Sequence, residues 1–307
     1  MKRIAFALLL LCCLLPTSCI TASPSSGETE KPLPDTVPDT LPETIPGTEP
    51  ETIPETDPPA PVSTPFAPIP GEKTMRNFLC TGLSALGKVM YVYGGGWNEA
   101  DDGAGVEATS IGIAPTWEAF TAAQTADYNC LEHEYEIHNG LDCSGYLGWV
   151  VYNTLHTENG LPGYVTSSTK MTKFLADSGF GTFTDAGPGK EFRPGDIVSL
   201  KGHVWISLGT CADGSVVILH CSPKGVILCG TVKDGEEKSA ASELAREYTE
   251  RYYPEWYAKY PGTTRSAEQF LAEDTVTLFR WSDEVLSDAE GLSSLSAEEL
   301  LPILFPE

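Results

Sequence analysis

The chain has 307 residues and 41% hydrophobic content, enough for one large domain or two small ones, yet it carries 24 prolines and a formal net charge of −24. A charge that negative excludes nucleic-acid binding through a basic patch and docking onto anionic lipid through basic residues. Nine cysteines make redox state a question of where the chain resides.

The first segment reads as an export signal. Lys2 and Arg3 precede an apolar run over residues 4–15, too short for a membrane span of about 20 residues and suited to a signal-peptide core. Leu15-Pro16-Thr17-Ser18-Cys19 follows. Small residues directly before a cysteine resemble the bacterial lipobox, so residues 1–18 are expected to be removed and Cys19 to carry a lipid. Pro16 departs from that pattern, and cleavage after Ala22 to give a secreted protein is the alternative. The expected location is the extracellular face of a bacterial cell membrane, with membrane contact through the lipid only.

Residues 19–72 read as a stalk. Pro34, Pro38, Pro42, Pro46, Pro50, Pro54 and Pro58 recur every fourth residue among Thr, Glu and Asp. Such a tract lacks the apolar mass to offset ordering entropy and stays extended; in polyproline II its roughly fifty residues reach on the order of 150 Å.

At residue 73 the composition changes, and a catalytic domain is expected over 73–285. Helical spacing of Met75, Phe78, Leu79, Leu83 and Leu86 predicts a helix over 73–88, ahead of Tyr91-Val92-Tyr93-Gly94-Gly95-Gly96. A long insertion follows at 97–139, with a short helix near 116–125. Its Trp97, Trp117, Tyr128 and Tyr135 favour an ordered cover over a floppy one. Asp142 then stands at an N-cap position, and Cys143 opens an apolar helix carrying Tyr146, Leu147, Trp149, Val150, Val151 and Leu155. A further helix is predicted over 168–177. Period-two stretches at 197–200, 203–208, 216–220, 226–229 and 276–281 predict an antiparallel sheet. Residues 236–260 read as one tyrosine-rich helix, and 286–307 as a helical tail packed on the domain. The fold class is α+β, helices first and sheet second.

Chemistry centres on Cys143. Amides and the positive helix end at its position favour a thiolate, whose pKa is expected to fall from about 8.5 towards roughly 3.5–7.5. A thiolate nucleophile needs a base and a group to orient that base. Of five histidines, His203 opens one predicted strand and His220 ends the next, an arrangement that puts both on one sheet face towards the cysteine helix. If Cys143 is free, Cys80, Cys130, Cys211, Cys221 and Cys229 leave room for at most two disulfides, with the pairing open. Cys221 points to the face opposite His220 and reads as core.

In order, Tyr91-Val92-Tyr93-Gly94-Gly95, Asp142-Cys143-Ser144-Gly145, Pro194-Gly195-Asp196, His203-Val204 and Leu219-His220 resemble the NlpC-type cell-wall peptidases, a bacterial branch of the papain-like cysteine peptidases. The resemblance spans residues 75–232. It implies a papain-like core, Cys143 as nucleophile, His203 as base and His220 as the residue that fixes the base. It also implies substrate contacts from Tyr91, Asp142 and Ser144, with Trp97 and Trp205 as further candidates. The implied partner is the peptidoglycan stem peptide, cut between the γ-carboxyl of D-glutamate and the diamino acid by a monomer. No phosphate loop, dinucleotide fingerprint or spaced metal quartet is present, so no cofactor or metal is expected. An N-acetylmuramoyl-L-alanine amidase, another amidase or acyltransferase, and a non-catalytic wall-binding lipoprotein are the alternatives. The 97–139 insertion, Tyr93 where Trp is usual, and the extension after residue 232 depart from the family pattern.

Overall fold

The computed structural model describes residues 67–305; the expected export signal, the expected lipid site at Cys19 and the Pro-rich stretch up to residue 66 lie outside the described residues. Chain order gives α1 (Met75–Ser84), β1 (Met90–Tyr91), α2 (Pro115–Ala123), β2 (Gly140–Leu141), α3 (Cys143–Leu155), α4 (Met171–Asp177), β3 (Gly181–Thr184), β4 (Ile197–Leu200), β5 (His203–Thr210), β6 (Val216–Ser222) and β7 (Gly225–Val232). Then come α5 (Ala240–Tyr252), α6 (Pro254–Lys259), β8 (Thr264–Ser266), α7 (Ala267–Phe270), β9 (Thr277–Trp281) and α8 (Ala297–Leu304). The fold is α+β. Folded structure begins slightly before residue 73, because the Ile69 amide donates to Asn77 Oδ1 at 2.8 Å and the Gly71 amide to the Asn153 carbonyl at 2.8 Å.

The sheet has seven strands in the order β3-β9-β4-β5-β6-β7-β8. It is mixed, not wholly antiparallel: β8 runs parallel to β7, with Gly230 opposite Thr264. Strand β9 returns from far along the chain to lie between β3 and β4. The helix expected over 236–260 is two helices, since Pro254 cannot continue α5 and instead starts α6 after Tyr253.

Side-chain alternation divides the sheet into two faces. Val204, Ile206 and Leu208 of β5, with Val217, Leu219 and Cys221 of β6, join α1 and α3 in the main core. Every residue of α3 except Tyr152 is buried, as expected for a helix apolar all round. The opposite face carries Val198, Leu200, Trp205, Ile218 and Leu278, packed with Phe192, Phe270 and Val276.

The 97–139 insertion is fastened to this body. Trp117 is fully buried and meets Trp149 edge-on at 5.9 Å, and Asn153 donates to the Ser110 carbonyl at 2.9 Å while accepting from the Gly112 amide at 2.8 Å. The C-terminal extension holds the insertion in turn: Tyr260 Oη donates to the Thr125 carbonyl at 2.7 Å and Lys259 Nζ to that of Gln124 at 3.1 Å. The tail is part of the same body, with the Met75 amide donating to the Ser287 carbonyl at 2.8 Å and Leu300, Leu301 and Leu304 fully buried.

Candidate active site

Asp142 builds the start of the cysteine helix. Its extended backbone ends the β2 segment, and its Oδ1 accepts from the Gly145 amide at 2.7 Å and from Ser144 Oγ at 2.8 Å. Trp97 Nε1 donates to Ser144 Oγ at 3.1 Å, so Trp97, Ser144 and Asp142 form one hydrogen-bonded chain beside the cysteine. The Gly94-Gly95-Gly96 segment lies directly on this turn. A Cβ at Gly145 would stand 2.0 Å from the Gly95 carbonyl oxygen, so only glycine permits the approach.

Cys143 is 6% exposed. The Val204 amide, next in the chain to His203, and the Ser144 and Cys143 amides all act to lower the pKa of its thiol. These amides do not produce the low thiol pKa that the helix position suggested. Burial, and then the Asp142 carboxylate, push it up to about 12. The resting group is a neutral thiol.

The histidines meet. His203 and His220 share a face of the sheet, and His203 Nε2 lies 2.6 Å from His220 Nδ1, with the rings 4.8 Å apart and nearly perpendicular. That face is the one bearing the smaller core, not the one packed on the body of α3, which corrects the expected orientation. Helix α3 contacts β5, and the amide of Val204, the second residue of that strand, acts on the Cys143 thiol. No hydrogen bond joins its sulfur to either ring among the described residues. His220 is fully buried, and His203 is half-buried. Burial first, and Arg265 second, lower the His203 pKa to about 4, and the same burial holds His220 well below its ordinary value. Both imidazoles are neutral at pH 7.

No family model, no curated protein and no solved structure matches the chain.

The remaining sequence candidates divide by burial. Tyr91 is half-buried, and burial first, then the neighbouring Cys143 and Asp142, raise its pKa, so its phenol stays protonated and can donate a hydrogen bond. Asp142 and Ser144 are buried within the cap, and Trp97 is half-buried above them. Trp205 is 1% exposed and packs on Phe192 in the smaller core, so it supports the strand and does not reach a substrate. Cys221 is fully buried on the main-core face, donating to the Leu141 carbonyl at 3.2 Å. Cys80, Cys130, Cys143, Cys211, Cys221 and Cys229 are all free thiols, so neither of the two possible disulfides forms. Arg265 and Phe270, which flank the histidine pair, carried no sequence signal, because they belong to the extension and to no motif.

Two outcomes follow from these ionisation states. At pH 7.5, iodoacetamide is expected to modify half-buried Cys130 before Cys143, as read by peptide mapping; Cys143 reacting first would contradict a buried neutral thiol. Stability is expected to fall as pH drops from about 6.5 to about 4. In that window unfolded histidines bind protons that His203 and His220 exclude, so protonation favours the unfolded chain. The urea midpoint of His220→Asn should decline less over the same range, and an equal decline would remove His220 from the account.

Proposed function

We propose that the chain is a cell-surface cysteine peptidase of papain-like architecture that hydrolyses the bond between the γ-carboxyl of D-glutamate and the diamino acid in peptidoglycan stem peptides. The observation that carries this reading is the 2.6 Å bond between His203 and His220, with the amide of the residue after His203 acting on the Cys143 thiol. Because His203 uses Nε2 towards His220, its Nδ1 is the nitrogen left for the thiol.

In the proposed reaction the thiol proton passes to His203 Nδ1 as Sγ bonds to the substrate carbonyl carbon. The oxyanion is met by the first-turn amide of Cys143, which has no intrahelical partner. The C–N bond then breaks, and the proton goes to the leaving amine. Water, losing a proton to His203, attacks the resulting thioester; the C–S bond breaks, and His203 returns that proton to the leaving Cys143 sulfur. With the thiol near pKa 12 and the imidazole near 4, proton transfer and attack belong to one event, not to a preformed ion pair. The export signal, lipobox-like cysteine and Pro-rich stalk support a wall substrate outside the cell.

The test is to incubate the full-length protein with muropeptides and weigh the products. Cleavage after D-glutamate, lost in Cys143→Ala and kept in Cys221→Ala, supports the proposal; release of whole stem peptides from muramic acid indicates the amidase. A second reading, a non-catalytic wall-binding protein, has the 6% exposure of Cys143 in its favour, and predicts unchanged muropeptides together with measurable binding.

A further inference from the structure

Phe270 stands against the histidine pair from an element outside every motif in the chain. It is the last residue of α7, itself held by the Ser266 Oγ cap on the Gln269 amide. Its ring centroid lies 5.8 Å from that of His220 at an interplanar angle of 90°, and 5.6 Å from that of His203 at 68°. His220 is fully buried, and its Nε2 has no hydrogen-bond partner.

That unpartnered nitrogen decides what His203 can do. If His220 carries its proton on Nδ1, it donates to His203 Nε2, and the proton of neutral His203 then sits on Nδ1. A ring in that state cannot take a proton from Cys143. If His220 carries its proton on Nε2, its Nδ1 accepts from His203 Nε2–H, and His203 Nδ1 offers the lone pair that a base requires. The second state leaves a buried N–H in need of an acceptor. Phe270 belongs to the smaller apolar core, and the electron-rich face of its ring is an acceptor within reach of His220. Burial first, and then the positive charge of Arg265, which donates to Ser222 Oγ at 2.8 Å, keep both rings in the neutral state for which tautomer matters.

We propose that Phe270 is a positioning residue: the face of its ring receives the Nε2–H of His220, and the tautomer so held makes His203 a base. The role of His203 rests on the peptidase reading, but the tautomer is observable with no substrate present. The experiment is a long-range ¹H–¹⁵N correlation on the full-length protein, labelled with ¹⁵N-histidine, at pH 7. Protons on Nε2 of both His203 and His220 are expected. Phe270→Tyr should keep that pattern, whereas Phe270→Leu should move His220 towards Nδ1–H and lower kcat by about tenfold or more with KM little changed. A wild-type His220 protonated on Nδ1 overturns the proposal whether or not Phe270→Leu folds, and so does a folded Phe270→Leu with the wild-type tautomers. If the tautomers are as expected and muropeptides are not cut, the peptidase reading fails and the assignment of Phe270 stands.

Discussion

His203→Ala is expected to slow the proposed stem-peptide cleavage by roughly 10³–10⁴-fold with the fold retained, as measured on muropeptides beside a circular dichroism spectrum. The size of the loss follows from the thiol. Burial and Asp142 raise Cys143 to about 12, so almost no thiolate exists at pH 7 and the base must remove the proton within the reaction itself. His203 is positioned to do so by its bond to His220 and by its place at the head of β5, next to Val204, whose amide acts on the Cys143 thiol. It is half-buried at a strand end, so its truncation removes ring contacts and leaves the strand register untouched. His220→Ala, which acts through His203, should cost less activity and more stability, since it empties a fully buried site. Undiminished turnover in His203→Ala would remove the base from the mechanism.

The largest expected effect on stability comes from Arg280→Leu. Asp196, in the turn that leads into β4, is 1% exposed, and Arg280 of β9 grips it with two bonds: Nε to Oδ1 at 2.8 Å and Nη2 to Oδ2 at 2.6 Å. The same carboxylate accepts the Arg193 amide at 2.8 Å, which closes the Pro194-Gly195 turn. Burial raises the Asp196 carboxyl against the opposing pull of Arg280, so removing the guanidinium leaves a buried charge with no cation. Breaking one side of such a pair costs about 3–5 kcal/mol, read as a lowered urea midpoint. Asp196→Asn with Arg280→Leu should recover part of that loss, because the charge is gone with its partner. An Arg280→Leu midpoint equal to wild type would show that the pair does not hold β9 to β4.

How much of this was legible beforehand can be traced residue by residue. The cysteine helix was legible because Asp142 is a capping residue and the residues after it are apolar on every side. The strands at 197–200 and 216–220 were legible from short turns and β-branched runs. The parity of His203 and His220 placed them on one face, but the partner of each face is set by tertiary packing, and α3 proved to lie against the other. Strand β8 is three polar residues, Thr264-Arg265-Ser266, which acquire strand geometry only by pairing with β7. The thiol pKa failed for a related reason. Helix position is a local rule, whereas desolvation depends on what the fold lays over the residue. Of the three departures from the resembled pattern, two meet in the structure: the 97–139 segment and the extension after residue 232 pack together around Tyr128, Trp256 and Tyr260.

The most direct measurement is to quench the full-length protein at acid pH during muropeptide turnover and map it by mass. The account predicts a thioester-linked acyl group, ending in the γ-carbonyl of D-glutamate, on the peptide containing Cys143 and absent from Cys143→Ala. Products that accumulate with no acyl group on Cys143, and at the same rate in Cys143→Ala, would contradict it.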